Sequence, residues 1–145
     1  MNHILLATDG SDASQRAAAY IAPRAKRYGS VVTIIHVSDA ETPKHQRLPD
    51  EGLDNPTEDQ IAHLERAWQA LDSVVRIFRE HGVPLTTHIR QSEAFEKVIC
   101  RVADERGCDL IVAGKRGLSP VVELVFGSVT EGLIKRAKQP VLVVH

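Results

Sequence analysis

DLIVAGKRGLSPVVELVFGSVTEGLIKRA, residues 109–137, sets an apolar run, a glycine loop and a helix-like run end to end. Asp109 to Ala113 reads as a short buried strand, and from Val129 the spacing of Leu133, Ile134 and Ala137 is helical. Between them GKRGLSPVVELVFGS, Gly114 to Ser128, has the layout of a phosphate site. Glycines let main-chain N–H groups approach an anion with no Cβ in the way, and a helix start adds unpaired donors and positive dipole character. Ser128 and Glu131 also fit a capping box, which would satisfy those donors internally. A structural loop accounts for the glycines as well as an anion does, so spacing leaves both readings open.

Working outward, strand-like runs occur at His3 to Thr8, Val31 to Val37, Leu85 to Ile89, Asp109 to Ala113 and Val141 to Val144, with helix-like stretches between. Several are nearly continuous in apolar residues, as strands covered on both faces are in a parallel sheet. The expected fold is a three-layer α/β/α sandwich. Ala17, Ala18, Ile21, Ala22 and Ala25 give the first helix a small-residue face that can lie close to the sheet. Ile61, Leu64, Trp68, Leu71, Val75 and Phe78 form one stripe, opened by a Thr57-x-x-Gln60 capping box and stopped at Gly82-Val83-Pro84. The stripe is too short for a coiled coil. Ser38 to Pro56 is polar, holds three prolines and shows no period, so a long mobile surface loop is expected there.

In open parallel sheets ligands bind beyond the carboxyl ends of strands whose crossovers leave in opposite directions. Ala7-Thr8-Asp9-Gly10-Ser11 ends the first strand and the glycine loop ends the fourth. If those strands are neighbours, both segments converge on one crevice. Asp9 could then accept from a ribose hydroxyl or an adenine amino group; as a turn or cap residue in D-G-S-D it is equally well explained.

With 145 residues, 43% of them hydrophobic, and no Pro/Gly/Ser-rich linker, a single domain over 1–145 is expected. Lys+Arg number 18 against 19 Asp+Glu, and no basic run is interleaved with aromatics, so neither nucleic acid nor an anionic membrane is an expected partner. Cys100 and Cys108 lack metal-type spacing and read as reduced core thiols. MNHILLATDGS runs straight into a strand with no basic-then-apolar leader, and a cytoplasmic location is the expectation.

The loop fits G-x-x-G-x9-G-[ST] through Gly114, Gly117, Gly127 and Ser128, which resembles the ATP-binding signature of the universal stress protein family. ILLATDGSDAS, IIHVSD, CDLIVAGKRG and QPVLVVH are similar to that family's first, second, fourth and closing strands. The resemblance implies a Rossmann-like, five-stranded parallel sheet of order 3-2-1-4-5 and ATP, ADP or AMP in the crevice. It implies Ala7, Thr8 and Asp9 beside the adenine and ribose, with Val37 against the base. Ala113 and Gly114 would approach ribose and phosphates, while Gly117, Gly127, Ser128 and Val129 cradle the phosphates, with Thr130 at the same helix start. Lys115 and Arg116 could neutralise phosphate charge or be solvated loop cations. After the third strand the chain departs from the family pattern of glycine followed by proline or a small residue: it has Arg90-Gln91-Ser92-Glu93. The family's two-fold pairing of its closing edge strand implies a homodimer through Val141 and Val143.

Other chemistries leave no trace. There is no G-x-x-x-x-G-K-[ST] loop, and no G-x-G-x-x-G follows the first strand. The seven histidines show no H-x-x-x-H or H-x-x-E-H spacing, so Mg²⁺ is expected, if anywhere, on ATP oxygens. No catalytic triad is announced. The expected protein is a nucleotide-dependent dimeric switch of the stress response, with an unknown protein partner and at most slow ATP hydrolysis. A nucleotide hydrolase or AMP-forming transferase, and an interaction module that binds no nucleotide, are the alternatives.

Overall fold

The structure, a computed structural model, describes residues 1–39, 41, 43–115 and 127–145. In chain order its elements are β1 (His3–Ala7), α1 (Asp12–Tyr28), β2 (Val31–Ser38), a 3-10 turn (Lys44–Gln46), β3 (Leu53–Asp54), α2 (Glu58–His63), α3 (Glu65–Glu80), β4 (Leu85–Gln91), α4 (Phe95–Glu105), β5 (Leu110–Gly114), α5 (Ser128–Arg136) and β6 (Val141–Val144). Among the described residues one sheet runs β3-β4-β2-β1-β5-β6. The five parallel strands stand in the expected order.

The near-continuous apolar runs follow from burial on both faces. Along β1, Ile4 and Leu6 enter one core cluster and Leu5 the other; along β5, Val112 joins the first cluster, Ile111 and Ala113 the second. Helices α1 and α3 cover the first face through Ala17, Ile21, Val74 and Phe78, while α4 and α5 cover the second through Ile99, Val102 and Leu133. Cys108 is buried in this second cluster, and burial pushes its thiol up to about 11. Cys100 packs beside it, and both are free thiols.

Two expectations need correction. The sheet has six described strands rather than five, because β3 pairs antiparallel with β4 through Leu53↔Ile89 and Asp54↔His88. The segment from Ser38 to Pro56 is therefore not simply a mobile loop. Leu48 is buried in the α1/α3 core, its N–H donates to Gln91 Oε1 (3.1 Å), and Asn55 N–H donates to Thr87 O (2.9 Å). The stripe read as one helix is two: the Thr57–Gln60 box forms, with bonds of 2.8 and 3.3 Å, but the chain breaks at Leu64 (φ −126°, ψ 40°) before α3 begins. Leu64 still packs against the core, so hydrophobic periodicity survives the break.

Candidate functional site

The topology makes a switch point between β1 and β5. These strands are parallel neighbours, with Leu6 opposite Val112, yet the crossover after β1 runs over the α1/α3 face and that after β5 over the α4/α5 face. A cavity opens there, beyond their carboxyl ends. Ala7, Thr8 and Asp9 enter it from β1, Ala113 and Gly114 from β5, Val37 from β2, and Gly127, Val129 and Thr130 from the start of α5.

Thr8 spends its hydroxyl on the fold. It is 5% exposed, its Oγ1–H donates toward Ser14 Oγ (3.0 Å) and Ala70 O (3.3 Å), and it accepts from Gly10 N–H (3.1 Å). Any ligand therefore meets the Thr8 main chain and methyl more than its hydroxyl. Asp9 Oδ1 accepts from Ser11 N–H (3.0 Å), closing the turn read from D-G-S-D, and Ser11 caps α1 by accepting from Ser14 N–H (3.3 Å). His36 Nδ1–H donates to Thr8 O (2.9 Å), tying the ends of β1 and β2 together. Burial pushes the His36 ring below the usual histidine value, against that hydrogen bond and the nearby Asp9 carboxylate.

Gly114 has a structural reason of its own. A Cβ there would lie 2.4 Å from Ala13 O and 2.8 Å from Ser14 N, so the glycine lets the first turn of α1 close on the end of β5. At α5 the N-cap is Gly127 (φ −55°, ψ 153°), which has no side chain to cap with, and Ser128 is the first helical residue. The S-x-x-E capping box does not form: Glu131 instead accepts from Lys135 Nζ (2.9 Å). Among the described residues, no capping side chain takes the main-chain donors at the start of this helix.

Ser128 is exposed and borders an adjoining hollow with Asp39, Glu93, Phe95, Glu96 and Val129. Lys115 lines neither space; its N–H donates to Val144 O (2.8 Å) and extends the β5–β6 ladder. Arg116 and Gly117 lie outside the described residues. Sequence reasoning brought Ser11 to the crevice with the β1 end but missed Ser14 on α1, Ile35 on β2, Phe95 and Ile99 on α4, and Leu133 on α5. Periodicity held part of the signal: Ile35 stands two before Val37 on one strand face, and Leu133 four after Val129 on one helix face. Among the described residues no group of three His, Cys, Asp or Glu is arranged to hold a metal.

Fold and cavity together define a doubly wound α/β protein whose cavity, walled by apolar side chains, ends on a bare helix start. The whole chain, residues 1–145, matches the universal stress protein family. A universal stress protein of Methanocaldococcus jannaschii is 34% identical over 143 residues, which cover 97% of this chain and 80% of that one. A universal stress protein structure from Archaeoglobus fulgidus superposes with a TM-score of 0.74 at 26% identity, covering 100% of this chain and 99% of the other. A universal stress protein of the same organism in complex with dAMP gives 0.70 at 25%, covering 100% and 98%. The chain belongs to the universal stress protein family.

Proposed function

We propose that this chain is an adenine-nucleotide-binding regulatory protein of the stress response. The observation that carries the proposal is the cavity between β1, β5 and the start of α5, apolar on one side and edged by main-chain amides on the other. Those are the two halves of a nucleotide's chemistry. A flat base leaves water for the apolar wall, and a phosphate accepts from amides at a helix start. The dAMP complex of the Archaeoglobus fulgidus relative supports this reading. ATP, with Mg²⁺ carried mainly on phosphate oxygens, is the proposed resident. Ala7, Thr8, Asp9 and Val37 would surround base and ribose, Ala113 and Gly114 would approach ribose and phosphates, and Gly117, Gly127, Ser128, Val129 and Thr130 would hold the phosphates, with Lys115 and Arg116 as candidate counter-charges.

Binding rather than turnover is the proposed role, with nucleotide state read out through a homodimer formed on β6. Phosphoryl transfer needs an oriented water and charge stabilisation on the transferring group. The Asp9 carboxylate, the candidate nearest the cavity, already accepts from the Ser11 amide. Calorimetric titration of purified protein with AMP, ADP and ATP should give saturable heat, and mass spectrometry should find the tightest of them on protein isolated without added ligand. No heat with any of the three overturns the proposal. Steady multi-turnover release of phosphate or pyrophosphate, abolished by Asp9→Ala, would instead favour an enzyme.

A further inference from the structure

We infer that Phe95 is the stacking platform for the nucleotide's base, an inference that rests on the nucleotide reading above. Phe95 is half-buried and borders both spaces at this end of the sheet, the apolar cavity and the adjoining hollow with Asp39, Glu93 and Glu96. With Val129, it stands where the two spaces meet.

The surroundings suit a flat apolar ligand group. Val37 and Val129 share the cavity wall with Phe95, and Ile35, Ile99 and Leu133 lie behind in the buried core. Of the cavity's polar residues, Thr8, Asp9, Ser11 and Ser14 come from the β1–α1 junction and Thr130 from the start of α5. An amphipathic ligand therefore has one sensible orientation, base toward Phe95 and phosphates toward Gly114 and Gly127.

The ring is also held in position. Ser92 N–H donates to Ser38 O (3.0 Å), which ties the β4–α4 turn to the end of β2, and Ser92 Oγ accepts from Ala94 N–H (3.0 Å). Phe95 then enters as the first residue of α4, next to the strand end that carries Val37. An aromatic face fixed on a helix start loses little freedom when a base stacks on it. The segment before it, Arg90-Gln91-Ser92-Glu93 at the end of β4, is where the chain departs from the glycine-containing pattern it otherwise resembles.

Titration with AMP tests the platform. Truncating a stacked aromatic costs a bound base roughly 5- to 150-fold in affinity, so Phe95→Ala should weaken AMP by that order while Phe95→Tyr stays near wild type. Phe95→Leu keeps the apolar bulk but removes the ring and should fall with alanine. Phe95→Trp, made together with Trp68→Phe so that it carries the sole indole, should lose fluorescence as AMP saturates it; a role confined to folding gives no such quench. Wild-type binding retained in Phe95→Leu, or an unquenched indole at saturating AMP, overturns the platform alone. Wild-type protein that binds none of AMP, ADP and ATP overturns the nucleotide reading and the platform with it.

Discussion

Gly10 shows how closely single residues set this site. Its φ is +78°, and a Cβ would lie 2.7 Å from Ala70 Cα, so the β1–α1 turn rests directly on the backbone of α3. Gly10→Ala should cost about 2–5 kcal/mol, the left-handed backbone adding about 1–2 and overpacking about 1–3. Urea unfolding measures it, and a loss under about 1 kcal/mol would mean that α3 gives way. Gly114 carries the same lesson at normal φ. Its substitution would press on Ala13 and move the start of α1, so lost nucleotide affinity in Gly114→Ala would not by itself report phosphate contact. A glycine read as room for a ligand is here room for a helix.

At the scale of elements, β3 is held by side-chain chemistry more than by its length. Asp54 accepts from His88 Nδ1–H (2.6 Å), and its carboxylate pairs with Arg90 (2.7 Å) and Arg106 (2.7 Å), joining β3, β4 and the end of α4. His88 is 1% exposed and its Nε2 has no partner, which fits a neutral ring with its proton on Nδ1. Burial pushes that ring below the usual histidine value, and Asp54 only partly offsets it. Burial would raise the Asp54 carboxyl, but the hydrogen bonds from His88 and Arg90 together hold it below the usual carboxylate range. His36 and His88 therefore contribute stability that is complete above a pH of about 6.5 and declines as the unfolded chain protonates below it. Asp54 adds a share that is complete above a pH of about 4 and is lost as pH falls through its lowered value. Urea midpoints should fall in both ranges. Asp54→Ala should cost about 1–3 kcal/mol near neutrality, since it strands the buried His88 Nδ1–H, and it should flatten the fall below about pH 4. An unchanged slope there would assign the acid sensitivity to other carboxylates.

That clamp also marks where sequence legibility ends. Ile4, Leu5 and Leu6 announce a strand buried on both faces because their neighbours in sequence carry the pattern. The cavity residues at strand ends were readable for the same reason, position along the chain being position in the sheet. Asp54 and His88 are 34 residues apart, and no local window relates them. Phe95 and Ile99 were hidden likewise: their i, i+4 spacing fits a core-facing helix, and only the packing of α4 beside β2 turns the first of them toward the crevice.

For the molecule as a whole, the end of the sheet opposite β3 is β6. Ile111 N–H donates to Pro140 O (3.0 Å) and Lys115 N–H to Val144 O (2.8 Å), so Pro140, Leu142 and Val144 turn their main chain toward β5. Val141 and Val143 turn theirs outward, as the proposed homodimer requires. Val143→Pro removes an outward N–H alone, and should leave a monomer in sedimentation with a native circular-dichroism spectrum. Wild-type protein that is monomeric at tens of micromolar would contradict the dimer.

Asp54 holds β3 across part of the far margin of β4, whereas β6 leaves its whole length open to addition on the other flank. Two copies joined there by a two-fold axis use up that flank in each other, leaving no ledge on which a third could start. The short antiparallel strand β3, which looks incidental to ligand binding, would then blunt the opposite margin and help hold the count at two.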